Sequence, residues 1–214
     1  MSHQPRNQRI TLIVSLLALI GFLLLAFSLS SFSAVNAGVK SWAVTIQANW
    51  FTPVAVAVSI VFDTYSLLLF SLAMATLLFY KKYIKQSVLL LGAMSGDALL
   101  VATSKALVYS PRPAKELIAE TGNSFPSGHV TGIIVFAGLL TYFAWQVWRS
   151  SKAKTASGMF YVAITVVVGF DRIYLNVHWF SDVLGGLLLG TFWLTFSILV
   201  FQFLDNRQLV HWRF

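Results

Sequence analysis

The chain of 214 residues has no cysteine, which rules out disulfides and thiolate metal sites. Charge is nearly as scarce: 10% of the residues are Asp, Glu, Lys or Arg, against roughly a quarter in an average soluble domain. Acidic residues are the rarest of these, 7 against 15 basic. No run of carboxylates and histidines stands ready to cage a divalent cation, so no metal and no other cofactor is expected. Also missing is any Pro/Ser/Gly-rich linker or charge block long enough to separate one domain from another. Residues 1–214 are therefore expected to form a single membrane-embedded domain.

What fills the chain instead is apolar, 57% of its residues, and the apolar stretches have the length of membrane spans. The first runs from Ile10 to about Phe32 without a charge, enough at about 1.5 Å per residue to cross a hydrocarbon core of roughly 30 Å. Val35-Asn36-Ala37 after it imitates a signal-peptide cleavage site. The apolar run nonetheless exceeds the roughly 7 to 15 residues of such peptides, and an uncleaved anchor is expected. From Ser41 to Phe51, Trp42, Ile46 and Trp50 recur every fourth residue, which predicts a short interfacial helix with both indoles on one face. Further spans are predicted at about Val56–Tyr80, Ser87–Tyr109, His129–Trp148, Ser157–Leu175 and Phe180–Leu204. The expected fold is all-α, a polytopic membrane bundle of six transmembrane helices.

The net charge of +8 does not mark a nucleic-acid protein, because the basic residues recur in small groups between apolar runs. Counted over alternate connections, ten fall on one side: Arg6, Arg9, Lys81, Lys82, Lys85, Arg149, Lys152, Lys154, Arg207 and Arg213. Lys40, Lys105, Arg112, Lys115 and Arg172 fall on the other. The positive-inside rule then expects a multi-pass cell-membrane protein with both termini cytoplasmic. No obligate protein partner is implied; the lipid bilayer is.

Four polar clusters interrupt the apolar background. They are Lys105 with Arg112-Pro113, Pro126-Ser127-Gly128-His129, Arg172, and His178 with Asp182. In the expected topology all four lie at the extracytoplasmic face. Lys105, Arg112 and Arg172 supply one ammonium and two guanidinium forks, groups suited to a phosphoryl dianion. Each alone would be an ordinary snorkelling cation at a span end. Ser127 and Gly128 sit where a helix begins, as a plain cap or as part of an anion site that glycine lets a ligand approach. His129 could protonate a leaving alkoxide. His178 and Asp182, four apart and expected on one face of the last helix, suit a nucleophile whose tautomer a carboxylate fixes.

Lys105 followed after six residues by Arg112-Pro113, then Pro126-Ser127-Gly128-His129, then Arg172, five residues, His178, three residues, Asp182 resembles the type 2 phosphatidic acid phosphatase family in order and spacing. The resemblance covers residues 105 to 182. It implies metal-independent release of phosphate from a membrane lipid phosphate, such as phosphatidylglycerophosphate, phosphatidic acid or undecaprenyl diphosphate. His178 would form a phosphohistidine, His129 would donate a proton to the leaving group, and water would release phosphate. Passing that phosphate to another lipid head group is the alternative within the same chemistry; a silent lipid-phosphate-binding protein is the alternative outside it. Soluble vanadium-dependent haloperoxidases share this type of site, but six lipid-length spans speak against one.

One position departs from the family. Where it usually has Ser before the third-motif Arg, this chain has Asp171, which must pair with a cation or turn away. Asp97, near mid-membrane and roughly 12 Å along the helix from Lys105, reads as a buried structural carboxyl, and Asp63 is ambiguous. The tryptophans are expected to form an aromatic belt.

Overall fold

The computed structural model describes residues 4–206, and all regular structure among them is helical. In chain order the α-helices are α1 (Gln4–Phe27), α2 (Ser33–Ile46), α3 (Thr52–Val61), α4 (Thr64–Tyr80), α5 (Ile84–Leu107), α6 (Gly128–Val147), α7 (Ser151–Tyr174) and α8 (Phe180–Asn206). A 3-10 turn, Leu29–Phe32, joins α1 to α2. Arg207 and Arg213 lie outside the described residues.

Five helices, α1 and α5 to α8, are long and apolar enough to cross a membrane, and the chain is a multi-pass membrane protein. The second predicted span differs from expectation. It is not one rod but α3 and α4, bent by 50° at a break. Asp63 causes it: its backbone is extended, and its side chain accepts from the Tyr65 amide at 3.0 Å to cap α4. A capping residue inside an apolar run stops one helix and starts another.

Other boundaries differ as well, the fifth span beginning at Ser151 rather than about Ser157. The first span ends at Phe27 rather than Phe32, in a stretch where Ser28 Oγ turns back to the Leu24 carbonyl at 2.7 Å. The interfacial helix begins at Ser33 and ends at Ile46, not Ser41 to Phe51. Gln47 leaves it in extended conformation and donates to the Tyr174 carbonyl at 2.8 Å, so Trp50 falls outside the helix that carries Trp42.

Helix α6 lies at the centre. Over half of its apolar window is buried inside the protein, against a third for α5 and α8. It meets α8 along a seam that glycine permits. A Cβ built at Gly186 would stand 2.8 Å from the Ser127 carbonyl oxygen, and one at Gly190 would stand 3.1 Å from that of Thr131. Small residues four apart let two helices approach backbone to backbone, where packing rather than hydrophobicity drives association in lipid. At the end of this seam the Ser127 amide donates to the Asp182 carbonyl at 3.0 Å.

Gly186→Ala should push against backbone that cannot move aside, at a cost of about 1–3 kcal/mol, and lower the unfolding temperature in detergent. Gly38→Ala, where a Cβ would meet nothing, should leave that temperature unchanged or raise it through helix propensity, worth up to about 1 kcal/mol. Thermal unfolding of the two variants beside the wild-type protein checks both signs.

Candidate active site

All four polar clusters come together at one end of the bundle, where α5 and α7 finish and α6 and α8 begin. Between α5 and α6 the chain has no helix over 108–127, a stretch in which Pro111 and Pro113 deny backbone donors. It is ordered instead by side chains. Lys105 Nζ donates to the Asn123 carbonyl and Asn123 Nδ2 to the Lys105 carbonyl, each at 2.7 Å. Ser110 and Ser124 join through their hydroxyls at 2.8 Å. Asn176, with φ +57 in the turn after α7, donates to the carbonyls of Ala114 and Lys115 at 2.8 and 2.9 Å.

Arg112 reaches from this loop to the turn that carries His178. Its Nη1 donates to the Val177 carbonyl at 2.8 Å and its Nη2 to that of Thr121 at 3.1 Å. Trp179 closes the same seam from the other side, its indole donating to the Pro111 carbonyl at 2.8 Å. The belt reading of the tryptophans fails for Trp193, midway along α8, which donates to the Ala93 carbonyl at 2.7 Å.

Arg172 is wholly buried in the last turn of α7. Asp171 accepts from its Nε at 3.0 Å and also pairs with its Nη2. Of the two alternatives for Asp171, pairing with a cation is the one observed. Arg172 Nη1 lies 3.1 Å from His129 Nε2 and 3.4 Å from Glu120 Oε1. Glu120 Oε2 in turn stands 3.2 Å from Arg112 Nη2, so one carboxylate bridges the two guanidiniums.

His129 is the second residue of α6, behind Ser127 at the cap and Gly128 at the first position. Ser127 is an N-cap by position but caps nothing. Its hydroxyl is buried and has no hydrogen-bond partner among the described residues. The break between α3 and α4 serves His129. The Asp63 amide bonds back to Ile60, which releases the Ser59 carbonyl from its helical partner; His129 Nε2 lies 3.2 Å from that carbonyl and 3.8 Å from Asp63 Oδ1.

His178 does not sit on the last helix as expected. Helix α8 starts at Phe180, and His178 occupies the turn before it. The pairing with Asp182 survives, because the Asp182 carboxylate folds back over the helix start. Its Oδ2 accepts from the Trp179 amide at 2.8 Å and lies 3.4 Å from His178 Nδ1. A carboxylate in a first turn is also favoured by the positive end of the helix. The contact with Asp182 is made through Nδ1, and the Ser124 backbone also hydrogen-bonds to the ring. Burial, reinforced by the positive charges of Lys105, Arg112 and Arg172, holds the His178 imidazole well below its ordinary pKa.

The structure thus gathers Lys105, Arg112, Ser127, Gly128, His129, Arg172, His178 and Asp182 in one place, and adds Glu120 and Asp63. Sequence does hold a signal for Glu120: it is one of only seven acids, and it stands between the spans that carry the first and second motifs, eight residues after Arg112. Asp63-Thr64 read as a capping pair inside an apolar run would have located the break. Asp97 is buried against α6 at Gly132, with one oxygen unpartnered among the described residues. No three His, Asp or Glu residues cluster to hold a metal among the described residues.

Comparison with known proteins gives this geometry its context, since the PAP2 superfamily model matches residues 64–206. The chain belongs to the PAP2 superfamily. It is 30% identical over 174 residues to phosphatidylglycerophosphatase B of Bacillus subtilis (strain 168), covering 79% of this chain and 85% of that protein. Over 86 residues it is 35% identical to Escherichia coli (strain K12) YbjG, provisionally named an undecaprenyl-diphosphatase, covering 40% of this chain and 38% of that protein. The crystal structure of a transmembrane PAP2-type phosphatidylglycerolphosphate phosphatase from Bacillus subtilis superposes with a TM-score of 0.77. The two are 27% identical, and the match covers 93% of this chain and 98% of the other. The all-helical membrane fold of this PAP2 member thereby agrees with that of a solved relative.

A lowered pKa means that the neutral form of His178 persists on acidification. Its ring should stay neutral through the ordinary histidine midpoint of about 6.5 and protonate only at more acidic pH. Nitrogen-15 NMR of histidine-labelled protein, with His178→Gln to assign the resonance, should show this midpoint below about 6.5; a midpoint at or above that value would contradict the described environment.

Proposed function

We propose that the protein hydrolyses a phosphate monoester or diphosphate from a membrane lipid through a phosphohistidine at His178, without a metal, at the extracytoplasmic face. This PAP2 member is a PAP2-type lipid phosphatase. The single observation that carries the finer reading is the juxtaposition of a buried, Asp182-paired His178 with three cations.

In this reading the substrate phosphoryl group displaces the Glu120 carboxylate from between Arg112 and Arg172 and takes over both guanidiniums. Lys105 and the unpartnered Ser127 hydroxyl complete the cradle, with Gly128 leaving room beside them. Such donors stabilise charge spreading over the equatorial oxygens. His178 Nε2 attacks phosphorus, and the bond to the lipid oxygen breaks. That oxygen takes a proton from His129. With Arg172 drawn to the phosphate, His129 faces the Ser59 carbonyl and Asp63, acceptors suited to a protonated ring. The neutral His129 then deprotonates water, which attacks phosphorus and frees His178. Asp182 orients the nucleophile and stabilises its charge.

Phosphatidylglycerophosphate is the first substrate to test, on the strength of the similarity to phosphatidylglycerophosphatase B over most of both chains; undecaprenyl diphosphate and phosphatidic acid follow. The distribution of Lys and Arg favours an outward-facing site and cytoplasmic termini. We read residues 1–214 as one catalytic domain.

Purified protein given these three lipids with a metal chelator present should release inorganic phosphate from at least one of them. His178→Ala should abolish release, and His129→Ala should slow it by about 10²–10⁴-fold. Undiminished activity in His178→Ala would sink the mechanism, and label passing to an acceptor lipid with little free phosphate would identify a transferase.

A further inference from the structure

At the end of the bundle opposite His178, α5 and α8 enclose a cavity of about 330 Å³. Its walls are single helical faces: Val88, Leu89 and Gly92 on α5, and Phe196, Val200 and Leu204 on α8. The deep end is closed by Trp193, whose indole is fastened to the Ala93 carbonyl and packs where Gly96 has no side chain. Gly92 adds no side chain to the wall, and a Cβ built there would meet nothing within 4 Å. At the mouth stand two charged residues, Lys85 and Asp205, paired with each other and each about two-fifths exposed.

These dimensions match a lipid tail. From Trp193 to Asp205 is about 18 Å along the helix axis at about 1.5 Å per residue, slightly more than half of a hydrocarbon core of roughly 30 Å. The slot therefore runs from a head-group interface to about mid-bilayer, and because it opens on membrane-spanning faces, lipid has direct access to it. Its length equals one leaflet, and that leaflet is the one away from the catalytic end. A lipid seated here cannot present its phosphate to Lys105 or His178, so it is not a substrate.

The mouth specifies the head group. A phosphate diester would find the Lys85 ammonium, but a head group with net negative charge would also bring that charge against the Asp205 carboxylate. A zwitterion carrying an anionic phosphate and a primary ammonium a few bonds apart satisfies both, exchanging one ion pair for two. Apolar walls with a few polar groups that fix orientation are the usual form of a small-ligand site. We propose that the α5–α8 slot binds one molecule of a zwitterionic phospholipid of the phosphatidylethanolamine class, with an acyl chain against Gly92, its phosphate on Lys85 and its ammonium on Asp205. The site is independent of the proposed reaction.

The test is native mass spectrometry of the full-length protein in mild detergent, titrated in parallel with phosphatidylethanolamine and phosphatidylglycerol of identical acyl chains. The wild-type protein should hold one phosphatidylethanolamine per chain about tenfold more tightly than phosphatidylglycerol. Gly92→Leu, which puts a branched side chain into the slot from a position where a Cβ meets nothing, should lose this adduct while still releasing phosphate from substrate. Asp205→Asn should keep an adduct but lose the preference between the two lipids. Equal retention of both lipids by the wild-type protein, an unchanged adduct in Gly92→Leu, or a lipid-free dimer in which a second copy covers the slot would overturn the proposal.

Discussion

The guanidinium of Arg172 has no exposed surface, and a buried charge without partners costs several kcal/mol. Its surroundings are therefore constrained, and the partners come from separate regions of the chain. Asp171 is its neighbour on α7, Glu120 comes from the loop after α5, and His129 comes from the start of α6. Glu120 passes the constraint on to Arg112, which clamps the backbone beside His178. His129 passes it to Ser59 and Asp63 at the break in the second span. One buried cation thus ties together the ends of five helices.

The polar end is built on an apolar frame that tolerates little movement. Glycines 186 and 190 let α8 lie against the backbone of α6, and the same approach delivers the Asp182 carbonyl to the Ser127 amide. The seam that packs two spans in lipid is thereby the seam that joins the second motif to the third. Loop 108–127 has no regular structure, yet Asn123 bonds to the last turn of α5, the Leu117 amide to the Leu175 carbonyl at the end of α7, Arg112 to the turn before α8 and the Ser127 amide to the first turn of α8. The break at Asp63 follows the same logic: a helical carbonyl is given up in the second span and reused at His129.

Much of this was legible in the chain itself. Long uncharged runs set the spans, and the spacing of Lys105, Arg112, Ser127, His129, Arg172, His178 and Asp182 set the family and picked out residues that meet at one end of the bundle. Residues whose role depends on a partner distant in sequence were harder to see. Glu120 looks like any loop acid until Arg112 and Arg172 are seen on either side of it. Asp171 offered two outcomes because pairing depends on which way the Arg172 side chain turns. The break at Asp63 was hidden by apolar residues on both sides, since hydropathy measures transfer to lipid and is blind to a cap. The four-residue spacing of His178 and Asp182 fits a helix, but a carboxylate folding back over the helix start produces the same contact.

The central claim is that these groups converge to make His178 the residue that takes the phosphate, and the most direct measurement is to catch it there. Protein turning over a lipid phosphate labelled in the phosphoryl group would be denatured with alkali within the turnover time, digested and mapped by mass spectrometry. The account predicts an acid-labile phosphoryl group on the peptide containing His178, attached to the imidazole and absent once substrate is exhausted. Label on His129 or on any other side chain during turnover, with His178 unmodified, would contradict it.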